Sequence, residues 1–438
     1  MRREQPMQPD PTMPRQRSWQ EILLNRRMLI CIFQGLASGM PLYVLIQLVP
    51  GWLRSEGVDL ATIGLFSLVA LPYTWKFVWA PFLDRFQLPF LGRRRGWTLL
   101  SQILLLISIA NIGSLDPTAG LLPVLWLIFA TAFFSATQDI VLDAYRREML
   151  ADDELGTGNS LFVNAYRVSS LVPGSLAFVL ADLLPWPTVY WVVGLFMTIG
   201  IVTTLLVPES SDDRIAPRSI REAVVEPFVE FFSRGGVKAA LLILAFMLFY
   251  KLGDSMATAL QTPFFIDLGF TLTQIGTVAK FAILGGTIAG AMLGGLLMLK
   301  LSINRALWIF GFVQLSSILG YAVLAAAGNN VYLLFVVAGF EYLGVGLGTV
   351  ALTAFMAKQT SLRFTATQFA LLTSFMAVPR TFANASTGFI IEAIGYFHFF
   401  LLCTAIAVPG MLLLLVVAPW SGKTYTGGAP PAVTRPTR

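Results

Sequence analysis

Nine ionisable side chains lie within apolar stretches of the sequence, where a charged group is costly and usually serves a function. Five are basic and four are acidic, namely Lys76, Arg167, Lys251, Lys280, Arg380, Asp139, Asp143, Asp254 and Glu341. The set becomes more positive whenever an acid takes up a proton. A cavity lined by these groups would therefore suit an anionic substrate better than a lipophilic cation. The alternative for each residue is a purely structural pairing with another member of the set.

Three of the acids are candidates for proton coupling. Burial favours the protonated form of a carboxyl group and a nearby cation favours the ionised form, so a buried acid can bind and release a proton. Asp139 and Asp143 are four residues apart, on one face of a helix. Asp139 lies deeper and is the preferred candidate, whereas Asp143 could simply anchor the helix end. Glu341, near the middle of its stretch, is the third, and Asp254 is predicted to pair with Lys251, three residues before it.

The other basic residues are candidates for substrate binding. Arg380 and Lys280 have no acid nearby in the sequence, which leaves each cation available for a substrate carboxylate. Lys76 and Arg167 lie at a depth similar to that of Asp139 and Asp143, toward the cytoplasm, so these four groups could form one network.

Polar and aromatic side chains in the same stretches would complete a site for a sugar. Amide and hydroxyl groups that can bind sugar hydroxyls are present at Gln34, Gln47, Gln138, Asn164 and Tyr166. Rings that could stack on a sugar face are present at Tyr73, Trp75 and Trp79. Because Trp and Tyr are also common anchors at membrane interfaces, anchoring is the alternative for those three rings.

The composition defines the environment of these groups. The chain has 438 residues, of which 56% are hydrophobic and 12% charged, and its mean hydropathy is +0.73. A soluble domain carries about 25% charged residues, which excludes a soluble enzyme, a nucleic-acid-binding protein and a disordered protein. One histidine, His398, cannot build a multi-histidine metal centre, and Cys31 and Cys403 are predicted to be packing residues. We therefore predict no metal, no cofactor and no nucleic-acid partner.

Twelve apolar runs are long enough to cross a membrane, which takes roughly 20 residues each. They are 28–49, 62–83, 97–115, 121–145, 159–183, 187–207, 237–260, 273–299, 303–327, 331–357, 367–394 and 397–419. The tails and loops on one side, counted into the first residues of adjoining runs, hold 24 of the 30 Lys and Arg residues, and the loops on the other side hold Arg54 alone. The excess of positive charge marks the cytoplasmic side, so both termini are predicted to be cytoplasmic.

The longest polar interval divides the runs into six plus six. The predicted organisation is an N-terminal tail, a six-helix bundle, a linker, a second six-helix bundle and a C-terminal tail, with bounds 1–27, 28–207, 208–236, 237–419 and 420–438. Within the linker, 218–234 is amphipathic and predicts an interfacial helix; a solvated linker is the alternative. A weak repeat, Leu60-Ala-Thr-Ile-Gly64 and Leu272-Thr-Gln-Ile-Gly276, opens the second and the eighth run. Two such halves around a central cavity are typical of an all-α major-facilitator fold.

Two further features are mechanical. An acid followed by arginines at a cytoplasmic helix end could hold the two halves together in one state, and the residues that would do so are Asp84, Arg85, Arg93, Arg94 and Arg95. The alternative for the arginines is the positive-inside rule alone. Small residues that allow close helix packing lie in the eighth run at Gly285, Gly286, Gly290, Gly294 and Gly295.

Several segments in combination resemble the AmpG-type muropeptide permeases of the major facilitator superfamily. They are Asp59–Val69, Lys76–Pro81, Asp84-Arg85, Gly92–Trp97 and Gln138–Ala144, supported by Ala37-Ser-Gly39, Pro41 and Tyr166-Arg167. The segments extend from about residue 35 to 190; the second half is matched by its six-helix pattern only. The Asp-Arg loop is also similar to the general major-facilitator loop motif, except that Ala80 stands where a glycine is usual and extra residues precede the arginines.

The resemblance implies a proton-driven importer of cell-wall turnover products. Its substrates would be N-acetylglucosaminyl-1,6-anhydro-N-acetylmuramic acid and its peptide-bearing forms, carried from the periplasm to the cytoplasm. Import would supply peptidoglycan recycling and β-lactamase induction. We expect a monomeric, multi-pass protein of the bacterial inner membrane, with protons and lipid as its other partners.

Other functions are compatible with parts of this pattern. A major-facilitator transporter of another organic anion or of a drug would have the same helices. An intramembrane aspartyl enzyme would need its carboxylates on two different helices, whereas Asp139 and Asp143 share one. A sensor or scaffold would not need nine charged groups inside its membrane helices. These comparisons favour a transporter over an enzyme.

Overall fold

The computed structural model describes residues 25–89, 91–150, 154–209, 226–359 and 365–421. Within those ranges every regular element is a helix, as the all-α prediction requires. The tail residues 1–24 and 422–438 and the linker residues 210–225 lie outside the described ranges. So does the first part of the predicted interfacial helix.

The first half of the chain supplies six helical elements. α1 is Arg26–Ser55, with a π-helical turn at Val44–Leu48. α2 is a series of short segments, Leu60–Leu65, Phe66–Ala70, Leu71–Trp75, Lys76–Val78 and Ala80–Arg85. The remaining elements are α3, Arg93–Ile112; α4, Leu121–Met149; α5, composed of Leu155–Ser169, Val172–Leu176 and Ala177–Ala181; and α6, Trp186–Leu206.

The second half begins with a short helix and continues with longer ones. α7 is Glu226–Arg234, and its Phe231 and Phe232 pack on a hydrophobic core of the second half. The next elements are α8, Gly236–Asp267; α9, Leu272–Met298; α10, Ile303–Ala327; α11, Val331–Gln359; and the helical segment Thr365–Val417. Gly395 divides that last segment into α12 (365–394) and α13 (396–417), because its φ of 74° is a left-handed conformation that glycine adopts readily.

In the described part of the chain, nine helices are long and apolar enough to cross a membrane, and one of them, Phe375–Val417, includes parts of both α12 and α13. The predicted runs 62–83 and 159–183 are interrupted helices instead. Pro72 and Pro81 in α2 and Pro173 in α5 have no backbone N–H to donate, so the regular hydrogen-bond ladder cannot continue through them. The sequence pattern predicted where these elements lie but not their irregularity.

Each half is held together by close helix packing. α1 packs along α5 and α6, and α3 packs along α4 and α6, whereas α9 and α10 both pack on α11. A Cβ atom at Gly35 or Gly39 of α1 would overlap the carbonyl oxygen of Phe162 or Tyr166 of α5. Glycine at these positions therefore lets the two backbones touch, which sets the position of the polar residues between them.

The two halves meet at the end of the molecule that carries loops 56–59, 182–185 and 268–271, which we call the closed end. The largest hydrophobic core is continuous across both halves there. Arg54 forms an ion pair of 2.6 Å with Asp267, which also accepts a 2.6 Å hydrogen bond from the Tyr396 hydroxyl. The backbone N–H of Thr273 donates to Asp182 (2.7 Å), and that of Ala61 donates to Glu392 (3.0 Å). The contacts of Arg54, Thr273 and Ala61 join the two halves, whereas Tyr396 and Asp267 both belong to the second half.

Candidate functional site

A cavity of about 600 Å³ lies between the two halves. α1, α2, α8, α11 and α12 contribute its walls, and the polar side chains among them include Gln47, Tyr73, Lys76, Gln261, Arg380 and Asn384. Lys76 and Arg380 come from opposite halves, so the fold brings together two of the predicted substrate-binding cations. The volume is typical of a small-molecule site.

Local irregularity positions both cations. Lys76 begins a short 3₁₀ segment within α2 and is half-buried. Arg380 directly follows Pro379, an internal proline of α12, and its side chain is exposed. An internal proline removes one helix hydrogen bond and bends the helix. Both irregular positions lie at the cavity wall.

Asp139 lies in a polar cluster between α1, α2 and α4. The Ser38 hydroxyl donates a 2.5 Å hydrogen bond to the Asp139 carboxylate. Lys76, Asp143 and Tyr73 all act on Asp139 electrostatically. Buried polar atoms without a partner in the described structure occur nearby, at Gln34 Oε1, the Tyr73 and Ser135 hydroxyls and Gln138 Oε1. Because such atoms are costly unless water or a ligand binds them, the cluster is suited to hold either.

Asp143 has a different environment from Asp139. Its carboxylate pairs with Arg146 at 2.8 Å, and half of the side chain is exposed. Arg146 in turn donates to Asn159 (2.7 Å) and lies 3.9 Å above the Phe162 ring. These contacts join the end of α4 to α5. They are the contacts expected if Asp143 anchors the helix end.

The other predicted binding residues of the first half do not line the cavity. Gln138 donates to the carbonyl of Ala37 at 3.1 Å. Tyr166 packs on Tyr43, with ring centroids 5.8 Å apart, and Asn164 donates to Ser160 in its own helix. Arg167 is half-buried and forms no ion pair with any described residue.

Lys280 is buried where three π-helical turns meet. The turns are Val44–Leu48 of α1, Val172–Leu176 of α5 and Ile275–Ala279 of α9. The Lys280 ammonium donates to Gln47 Oε1 of the other half at 2.9 Å and lies 5.4 Å from the Tyr43 ring centroid. A Cβ atom at Gly174 would overlap both Gln47 and Lys280, so only glycine leaves room for this contact.

The second half contains its own group of buried charges. Lys251 pairs with Asp254 at 2.8 Å and also donates to Gln314 at 3.2 Å. Glu341 is fully buried beside Asp254. The sequence predicted the spacing of Lys251 and Asp254, but it held no signal that Glu341, on a distant helix, would face them.

The predicted gating arginines bind within the first half. Arg94 pairs with Glu148 at 2.7 Å, and Arg93 lies 3.8 Å from the same carboxylate. Arg95 donates to the carbonyls of Thr204 and Leu205, which joins α3 to α6. Asp84 and Arg85 lie in the last turn of α2, and their side chains lie outside what the structure describes. In this conformation the described polar contacts between the halves are those of the closed end and the Lys280–Gln47 hydrogen bond.

Comparison with known proteins identifies the family. A model of the major facilitator superfamily matches residues 31–384. The anhydromuropeptide permease of Escherichia coli K12 is 43% identical over 397 residues, which is 90% of this chain and 80% of the permease. The chain belongs to the major facilitator superfamily, in the family of the anhydromuropeptide permeases. An uncharacterized protein of Haemophilus influenzae is 46% identical and covers 91% of this chain and 96% of its own length.

A solved structure agrees in fold. A POT family transporter superposes with a TM-score of 0.68 at 14% identity, covering 90% of this chain and 96% of the other. The Escherichia coli relative is a permease and the structural neighbour is a transporter. These findings confirm the predictions of a major-facilitator fold, of the family and of a transporter rather than an enzyme. With its apolar helices, this major-facilitator protein is a multi-pass inner-membrane protein.

Proposed function

We propose that this protein imports anhydromuropeptides from the periplasm into the cytoplasm, driven by protons. The substrates are N-acetylglucosaminyl-1,6-anhydro-N-acetylmuramic acid and its peptide-bearing forms. The observation that carries the proposal is the 43% identity to the Escherichia coli anhydromuropeptide permease along 90% of the chain. Imported substrate would supply peptidoglycan recycling and β-lactamase induction.

The proposed topology has twelve membrane crossings, α1 to α6 and α8 to α13, with both termini in the cytoplasm. Its domains are the two bundles, 28–207 and 237–419, joined by the linker 208–236 and flanked by tails 1–27 and 420–438. The distribution of Lys and Arg in the sequence and the break at Gly395 support this assignment. The closed end then faces the periplasm, so the described conformation is an inward-facing one. The protein acts as a monomer.

The cavity cations provide the substrate site. Lys76 and Arg380 approach the cavity from opposite halves, and a muropeptide carries carboxylates that either could bind. Charge-assisted hydrogen bonds of this kind are roughly twice as strong as neutral ones. Tyr73 and the amides of Gln47 and Asn384 supply a ring and hydrogen-bonding groups for the sugars.

Asp139 couples the substrate to the proton. Lys76 lines the cavity and also interacts electrostatically with Asp139. When a substrate carboxylate binds Lys76, the cation that acts most strongly on Asp139 is neutralised, so the protonated form of Asp139 is favoured. Substrate and proton therefore bind together and leave together. Asp143, paired with Arg146, has at most a secondary part in coupling, and Glu341 is treated separately below.

Counterflow in proteoliposomes tests the substrate assignment without a proton gradient. Vesicles that contain the purified protein and unlabelled anhydromuropeptide should accumulate labelled anhydromuropeptide from outside. The same disaccharide with its carboxyl amidated should compete at least tenfold less well, and a lipophilic cationic drug should not compete. No exchange by folded protein would contradict the proposal. Competition by the drug or by an unrelated organic anion alone would favour a different transporter.

A further inference from the structure

Two carboxyl groups are buried together in the second half. Glu341 on α11 has an exposed fraction of 0%, and Asp254 on α8 has 5%. Neither oxygen of Glu341 has a hydrogen-bond partner among the described residues, and Asp254 Oδ1 has none either. The other oxygen of Asp254 is the one that pairs with Lys251. Three acceptor oxygens are therefore left unsatisfied in one buried site.

One proton would supply the missing hydrogen-bond donor. The two carboxyl groups lie within hydrogen-bonding reach of each other. Ionised carboxylates only accept hydrogen bonds, so two of them cannot satisfy one another. One proton on Glu341 turns its O–H into a donor for Asp254 Oδ1 and removes one of two like charges from the interior. Ser317 also lies beside Glu341, but its single hydroxyl proton, which is donated to the carbonyl of Gln314 at 2.8 Å, can satisfy at most one acceptor.

The net charge of the buried group is balanced when the two acids share one proton. The titratable groups that face the pair are Lys251 and Tyr250 of α8, Tyr321 of α10, Tyr342 of α11, Arg380 of α12 and Cys403 of α13. Lys251 balances one of the two carboxylates by direct contact. With one proton on Glu341, the group of Lys251, Asp254 and Glu341 is electrically neutral. Without it, one negative charge remains, and Arg380 is the further cation that acts on Asp254.

We propose that Asp254 and Glu341 together bind one proton in the second half and that Arg380 links this proton to the substrate. The inference rests on the proposed function and adds a second proton site to Asp139. While Glu341 is protonated, Arg380 is available to a substrate carboxylate in the cavity. When the Glu341 O–H bond breaks and the proton passes to cavity water, the charge left on the pair attracts Arg380. The substrate then loses a cation and is released.

The connection to the cavity is short. Ser255, next to Asp254 in the chain, lines the cavity and exchanges hydrogen bonds with Asn384 of α12 at 3.1–3.2 Å. Tyr342, next to Glu341, lines the same cavity. Ser255 and Tyr342 are therefore the cavity-lining polar residues next to the two acids in the chain, and the proposed route of the proton runs through them.

The test separates proton coupling from substrate exchange. Glu341→Gln imitates the protonated acid and retains a donor for Asp254. We expect it to keep counterflow within threefold of wild type and to lose at least tenfold of the accumulation driven by a proton gradient. Glu56→Gln is the control, since Glu56 lies in loop 56–59, does not line the cavity and forms none of the described links between the halves, and we expect it to keep both activities.

Infrared difference spectroscopy supplies a readout that does not require transport. The wild-type protein should show a band of a protonated carboxyl group at neutral pH, and Glu341→Gln should lack it. The second member of the pair is tested with the double variant Lys251→Met, Asp254→Asn. Removing both partners of the ion pair leaves no unpaired buried charge, so this variant is more suitable than Asp254→Asn alone. It should also lose gradient-driven accumulation.

Two results would overturn the proposal. One is a Glu341→Gln protein that retains gradient-driven accumulation and the infrared band. The other is loss of counterflow together with accumulation in folded Glu341→Gln, which would indicate a structural role. Absence of counterflow in the wild type, with the infrared band present, would refute the proposed function and leave the proton site standing.

Discussion

At the scale of single residues, Lys76 and Arg380 each line the cavity and each interact electrostatically with a carboxyl group. Lys76 acts on Asp139, and Arg380 acts on Asp254. The sequence predicted which residues carry charge inside the membrane, because such residues stand out in apolar runs. It could not predict that Lys280 donates to Gln47, since that contact joins residues 233 positions apart and depends on how the halves meet.

The first prediction compares two aspartates of α4. Asp139→Asn should lower gradient-driven uptake of anhydromuropeptide at least tenfold, because the amide cannot take up the transported proton. Asp143→Asn should retain uptake within about threefold, because this carboxylate pairs with Arg146 at the helix end. Counterflow should persist in both variants. Equal losses of uptake in the two variants would contradict the assignment of Asp139.

The second prediction concerns the cation of the second half. Arg380→Gln should raise the Kd for anhydromuropeptide about tenfold, which is about 1.4 kcal/mol, because a charge-assisted hydrogen bond is lost. Titration calorimetry at constant pH measures the change. Arg305→Gln is the control, since that guanidinium lies 5.9 Å from the Trp420 ring at a helix end, outside the cavity. An unchanged Kd in Arg380→Gln would remove Arg380 from the substrate site.

At the scale of elements, the irregular helices are the ones that carry the site. α2 is broken into short segments where Lys76 lies, and π-helical turns in α1, α5 and α9 surround Lys280. Apolar length predicted where each helix lies, and even the break near 394–397. It could not predict the π turns, because an inserted residue leaves no mark in the hydropathy of a run that is apolar on every side.

The third prediction separates glycines that allow close packing from glycines that do not. A Cβ atom at Gly290 of α9 would overlap the backbone of Leu343 of α11, whereas one at Gly295 would meet nothing within 4 Å. Gly290→Val should therefore destabilise the protein by about 1–3 kcal/mol, typical of overpacking. Gly295→Val should stay within about 0.5 kcal/mol of wild type. A thermal unfolding assay in detergent measures both, and equal stabilities would contradict the helix packing described.

At the scale of the whole molecule, the closed end sets the conformation. Its links join the halves through Arg54 with Asp267, Asp182 with Thr273 and Glu392 with Ala61. The sequence predicts a gate at the arginine-rich end of α3, which would hold the halves together in one state, and that gate stays a prediction. A motif shows which residues are able to form ion pairs, whereas the conformation decides which of them face a partner in the other half.

The fourth prediction loosens the closed end. Asp267→Asn removes the ion pair with Arg54, which is worth on the order of 1 kcal/mol for a partly exposed pair. The population of the state that is open toward the periplasm should therefore rise about fivefold. A Ser255→Cys background reports the change as faster reaction with a membrane-impermeant thiol reagent added outside. The native Cys31 and Cys403 are fully buried and give little background.

Asp116→Asn provides the matched control for this prediction. Asp116 lies in the loop between α3 and α4, at the same end of the molecule, and its contacts are with Thr118 and Ala119. The hydrogen bonds from Thr118 hold the pKa of Asp116 below its usual value, so the control removes one negative charge as Asp267→Asn does. Its labelling rate should match that of the parent. If both variants react equally fast, charge alone explains the effect and the closed-end link is refuted.

The central claim is that a proton gradient drives anhydromuropeptide through the cavity between the halves. Its most direct test is uptake of radiolabelled N-acetylglucosaminyl-anhydro-N-acetylmuramic acid into proteoliposomes under an imposed inward proton gradient. We predict accumulation above the outside concentration that collapses when a protonophore is added. Accumulation that persists with the protonophore would contradict proton coupling, and no uptake by folded protein would contradict the substrate.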